Sequence, residues 1–108
     1  MLCNTNARID QTDRSELIRI SFGKVLAAQR MAAGFGQRAF SRQVGISNSH
    51  LRKIEAGETS PTLVTLYKFA DVLGVETGWL LSQTDMVMRG NGAVPTNVLA
   101  LVKTSAES

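Results

Sequence analysis

Two short helices joined by a tight turn leave a chain few folds to choose from, and residues 36–55, GQRAFSRQVGISNSHLRKIE, read as such a pair. In the first, Gln37 to Val44, Phe40 and Val44 stand one turn apart and face inward. Ser41 beside them is small enough for a second helix to cross closely. Gly45 supplies the turn, because glycine past a helix end takes the left-handed conformation without steric cost. The next helix restarts after only two more residues, with Ser47 as its N-cap. So short a restart forces the two helices to cross steeply.

The second helix, Asn48 to about Ala56, decides what the pair can do. An advance of about 100° per residue puts His50, Leu51 and Ile54 on one face and Asn48, Ser49, Arg52 and Lys53 on the opposite one. The first face is apolar enough to bury. The second offers two cations, an amide and a hydroxyl, the groups that read base edges and bind phosphates. Any amphipathic helix shows a polar face to water, so this face alone does not decide. The steep crossing is what favours DNA, since it is the docking geometry that pushes a second helix into the major groove.

Further marks surround this helix-turn-helix at fixed spacings: Phe22-Gly23-Lys24, Arg30, Gln37, Gly45-Ile46-Ser47, Ile54-Glu55, Gly57, Ser60-Pro61-Thr62-Leu63, and Ala70 with Leu73-Gly74-Val75. With them the chain, from Phe22 to Leu81, resembles the Cro and phage-repressor type of helix-turn-helix, the XRE family. The resemblance implies an all-α, compact five-helix repressor-like domain over 21–81, preceded by an N-terminal arm and followed by a C-terminal tail. It implies that Arg30 pairs with Glu55 as a structural ion pair, and that Gln37 meets a DNA phosphate at the N-terminus of its helix. Phe35 stands where the family places a Leu that plugs the core. Some residues depart from the pattern: Gly36 replaces a Ser or Thr N-cap, Glu58 is acidic in a loop that is often basic, and Val64 and Trp79 stand at positions that are usually polar.

Charge agrees with the assignment. The stretch from Ser21 to Ser60 holds six cations (Lys24, Arg30, Arg38, Arg42, Arg52, Lys53) against Glu55 and Glu58, a balance of +4, while the rest of the chain carries −1. Excess positive charge on the helix-turn-helix is what phosphate binding requires.

Outside the motif, the segment to about Gln11 reads as a polar arm, and Asp13 followed by Glu16 as a capping-box-like start. Either one long helix runs from Arg14 to Ala33, or a short extra helix precedes one that begins near Ser21. Arg8 and Arg14 could reach the DNA backbone from such an arm. Ser60 is expected to cap the fourth helix, with Pro61 at its first position and Leu63, Leu66, Phe69, Ala70 and Leu73 as its core stripe. A short fifth helix, Val75 to Leu81, turns Val75, Leu80 and Leu81 inward. Residues 82–95 read as a linker, and Thr96 could cap a short helix over 97–103 whose Val98, Leu99, Leu101 and Val102 form an apolar cluster. A helix that short is unstable alone, so the tail frays, folds back or meets a second subunit. Trp79 and this cluster are the candidate dimer contacts.

These readings predict a sequence-specific transcriptional regulator, a repressor, that binds double-stranded DNA at a palindromic operator as a homodimer. Asn48, Ser49, Arg52 and Lys53 are the expected base readers, and Gln37, Arg38, Arg42 and Ser47 the expected phosphate contacts. The alternative is an antitoxin-like or other protein-interaction module on the same fold, with a protein partner. No catalytic residue is expected: His50 lies at the edge of a core face, no glycine-rich phosphate loop is present, and a nucleophile needs a base within reach. With one Cys and one His, no internal disulfide and no Cys/His zinc site can form, so neither metal nor cofactor is expected. The first fifteen residues lack the apolar run of a secretory signal and no stretch would span a bilayer, which predicts a cytoplasmic protein.

Overall fold

The computed structural model describes residues 2–90, with side chains described from Arg14 onward. Five helices follow one another, α1 (Leu2–Ala32), α2 (Gln37–Val44), α3 (Asn48–Glu55), α4 (Leu63–Leu73) and α5 (Thr77–Met88), with no strand among the described residues. The apolar cluster of Val98, Leu99, Leu101 and Val102, and the short helix expected over 97–103, lie outside the described residues.

Helix α1 is unbroken over 31 residues, so the long-helix form is the one present, and it starts at Leu2 rather than near Arg14. The segment expected as an arm is helical backbone. No proline interrupts residues 2–32, and once the core holds the stretch from Ser21 to Arg30, extending a formed helix costs far less than starting one.

The helix-turn-helix follows its sequence signals. Gly45 sits at φ 90° and its N–H donates to the Ser41 carbonyl. The Ser47 hydroxyl accepts the His50 N–H at 3.0 Å, capping α3. Ser41 is buried, and its hydroxyl donates to the Arg38 carbonyl at 2.9 Å, so that hydroxyl is not stranded where the helices cross.

Two expectations are corrected further along. The cap of α4 is Thr62, not Ser60: its hydroxyl accepts the Thr65 N–H at 3.1 Å and Pro61 lies outside the helix. Leu63 is thereby the first helical residue, ahead of the core, and 69% of it is exposed although it was expected in the core stripe. In α5, Leu81 is 43% exposed rather than inward, and residues 82–88, expected as linker, are its last two turns. Gln83 and Thr84 are buried there, and α5 lies along α1. Thr84 can be buried because its hydroxyl donates to the Leu80 carbonyl at 2.9 Å, which satisfies it within the helix.

All four phenylalanines of the chain join the core in one series. Ring centroids are 5.5 Å apart from Phe35 to Phe40, 5.7 Å from Phe40 to Phe69 and 6.2 Å from Phe69 to Phe22. The series links the turn before α2 to α2, α4 and α1, each pair within the range of favourable aromatic contact. Val25, Leu26, Leu51, Ile54 and Leu80 complete a dry centre that fixes α3 against α1.

Candidate nucleic-acid interface

Two glycines and one ion pair set the pose of α3. A Cβ on Gly23 would stand 2.5 Å from the Glu55 carbonyl oxygen and 2.7 Å from that of Ile54, so α1 and the end of α3 touch backbone to backbone. Gly57, at φ 79°, lies against Ile20 in the same way, and the Arg19 Nε donates to its carbonyl at 3.2 Å.

Beside this contact, Arg30 and Glu55 form a nearly buried pair, their side chains 10% and 7% exposed. Arg30 Nε donates to Glu55 Oε2 at 2.7 Å and its Nη2 to Oε1 at 3.1 Å, the two-pronged geometry that a guanidinium offers a carboxylate. Its Nη1 donates to the Phe35 carbonyl at 2.8 Å, tying in the turn before α2. Gln37 Nε2 also donates to Glu55 Oε1, at 2.9 Å. Sequence reasoning gave Gln37 a phosphate but missed this bond, which joins the start of α2 to the end of α3. One hydrogen of the Gln37 amide remains for an outside acceptor.

Gly36 caps α2 with no side-chain bond, so the first N–H donors of that helix are not taken by a cap. Such donors, with the helix dipole behind them, favour an anion. Ser47 spends a lone pair on its cap and keeps its O–H to donate.

Ser49, Arg52 and Lys53 are exposed and fall within about 100° of arc on α3. Arg38 and Arg42 are exposed one turn apart on α2. With Lys24, five of the six cations between Ser21 and Ser60 reach solvent, while the charge of Arg30 is met by Glu55. Asn48 differs from the other expected base readers. It is half-buried, with Oδ1 out of solvent and no hydrogen-bond partner for it. Bidentate pairing with adenine uses both ends of the amide, and this rotamer presents only one.

Trp79 is half-buried and packs against the core of its own domain. Among the described residues no cluster of His, Cys, Asp and Glu could hold a metal ion, and no helix is long and apolar enough to cross a membrane.

The helix-turn-helix family model matches residues 26–80. An uncharacterized HTH-type transcriptional regulator, YonR, from the SPbeta prophage of Bacillus subtilis (strain 168) is 36% identical over 63 residues, 58% of this chain and 58% of that protein. A second uncharacterized HTH-type transcriptional regulator, y4dJ of Sinorhizobium fredii, is 35% identical over 63 residues, 58% of this chain and 82% of the relative. The match thus spans little more than half of the first relative's length.

Among solved structures, the restriction-modification controller protein C.AhdI of Aeromonas hydrophila superposes with a TM-score of 0.55 at 30% identity, over 56% of this chain and 92% of that one. The clp gene regulator ClgR of Corynebacterium glutamicum gives 0.66 over 79% and 88%, and at 21% identity speaks for the fold alone. By sequence and fold, the chain belongs to the XRE-type helix-turn-helix family, whose members are DNA-binding transcriptional regulators rather than enzymes.

Proposed function

We propose that the protein is a transcriptional repressor that binds a palindromic operator as a homodimer, with α3 in the major groove. The observation that carries this reading is the outer face of α3, where Ser49, Arg52 and Lys53 are exposed together and no large apolar side chain accompanies them. A surface made to dock a protein carries such a side chain, since aromatic and apolar groups fill interface centres.

In this mechanism the N-terminus of α2, with Gln37, Arg38 and Arg42, holds phosphates and sets the register. Ser47 donates to a phosphate beside them. Arg52 and Lys53 then offer hydrogen bonds to guanine, and Ser49 to either kind of base. Asn48 contributes a single hydrogen bond at the edge of the contact. One helix of this length reads only a few base pairs, so a second copy on a two-fold-related half-site supplies the remaining affinity and specificity. The relatives named as transcriptional regulators support the regulatory reading.

The test is selection of the purified protein on random duplexes at two salt concentrations. The expected product is a palindromic motif with half-site centres about 10 bp apart. Binding without enrichment, lost steeply with salt, would leave only a basic surface and overturn the reading.

A further inference from the structure

Between α1, α4, α5 and the loop that follows α3 lies an apolar groove of about 170 Å³. Phe22 and Leu66 form its buried floor, Pro61 one wall, and Ile18 and Leu81 its rim, 38% and 43% exposed. Thr84 lines it as well, but its hydroxyl hydrogen is already given to the Leu80 carbonyl. Arg19 stands on the loop side, its Nε donating to the Gly57 carbonyl. A hollow with so few polar groups to satisfy suits an apolar segment.

We propose that the chain's own tail seats here, the apolar cluster of Val98, Leu99, Leu101 and Val102 covering the groove as an intramolecular strap. The cluster expected as a dimer contact then belongs to its own domain. Three observations select this occupant.

The first is chemistry. From Asn91 to Val102 the chain carries no charged residue. In the helix expected over 97–103 the four apolar residues fall within about 160° of arc, with Ala100 opposite. A helix that short needs a surface to pack on. An apolar space of about 150 Å³ takes a benzene ring, so the groove admits one leucine side chain while the rest of the arc covers Ile18 and Leu81.

The second is reach. Gly90, at φ 76°, donates its N–H to the Val87 carbonyl and turns the chain out of the axis of α5. Leu81 stands before it by about 14 Å along the helix. Val98 stands beyond it by as much as about 26 Å of extended chain. The cluster can therefore reach back to Leu81 with slack to turn.

The third is competition. The short linker from Asn91 to Asn97 holds the cluster near its own groove at an effective concentration of about a millimolar. A second copy at micromolar concentration offers the same segment roughly a thousandfold less often.

The walls of the groove belong to α1, α4, α5 and the loop after α3, and none to the exposed arc of Ser49, Arg52 and Lys53. A seated tail ties those elements together and leaves that arc open. The strap is thus independent of the regulatory reading above.

Methyl NMR on the full chain tests this, with Cys3→Ser and Ala100→Cys, and a nitroxide on the one remaining thiol. The methyl signals of Ile18, Leu66 and Leu81 are expected to lose most of their intensity. That of Met31, about 20 Å from Ile18 along α1, keeps its own. Adding Leu99→Asp with Leu101→Asp restores the signals. In the chain without nitroxide the same pair lowers the melting temperature by about 4 °C or more.

Broadening that appears only when the nitroxide is on an isotope-silent copy mixed with an isotope-labelled one would give the groove to a second copy's tail and overturn the strap. Broadening that survives Leu99→Asp with Leu101→Asp would show a tail merely tethered nearby, and would overturn it too. Unbroadened signals of Ile18, Leu66 and Leu81, or equal melting curves, would do the same.

Discussion

Glu55 is held by Arg30 from 25 positions away, Nε to Oε2 at 2.7 Å, in a site that leaves both side chains a tenth exposed or less. Because the charges are buried together, losing one strands the other. Glu55→Ala is expected to lower unfolding stability by about 3–5 kcal/mol. Urea denaturation of the two proteins measures it, and a loss below about 1 kcal/mol, the range of an exposed pair, would contradict this account.

Gly23 permits the contact between α1 and the end of α3. In an ordinary helix interior, Gly→Ala stabilises by about 1 kcal/mol. At Gly23 the added methyl would meet two backbone carbonyl oxygens at 2.5 and 2.7 Å, neither of which can turn aside. Gly23→Ala is therefore expected to destabilise by about 1–3 kcal/mol, against the helix propensity. A melting temperature equal to or above that of the wild type would disprove the close approach.

The start of α4 separates two candidate caps. Thr62→Ala removes the acceptor of the Thr65 N–H and is expected to cost about 1 kcal/mol. Ser60→Ala is expected to be close to neutral. The two melting curves exchange order if Ser60 is the cap.

DNA contacts divide by kind. Lys53→Ala is expected to lower affinity mainly for the selected operator, and Arg38→Ala to weaken every duplex while flattening the dependence of log K on log salt by about 0.9. Titrations of operator and random duplex across a salt series distinguish them. Equal losses on both duplexes for Lys53→Ala would remove Lys53 from the base readers.

The parts that are legible in the sequence are those with local causes. Gly45, Ser47 and the spacing of Phe40, Val44, Leu51 and Ile54 announce the helix-turn-helix, because a positive φ, a cap and a periodic face leave marks within a few residues. What escapes has distant causes. Thr62 and Ser60 are both able caps, and only the packing of Leu66 and Phe69 decides where α4 begins. Gln83 and Thr84 are polar, yet α1 buries them and carries α5 seven residues past Leu81. The Gln37 to Glu55 bond joins residues 18 apart in sequence, a pairing that no helical period reveals. The exposure of Ser49, Arg52 and Lys53 on a shared arc of α3, on which their proposed roles rest, is what the helical wheel already implied.

The backbone contacts at Gly23 and Gly57 bear on how such a protein changes its target. The tilt of α3 is set by main-chain atoms and by Glu55 on its inner side, none of which belongs to the exposed arc of Ser49, Arg52 and Lys53. Ser49, Arg52 and Lys53 can therefore be exchanged for other side chains without altering how the helix is presented. If α3 reads DNA as proposed, the scaffold is a fixed mount with a replaceable edge, and new operators become accessible through three exposed positions while the domain that carries them stays the same.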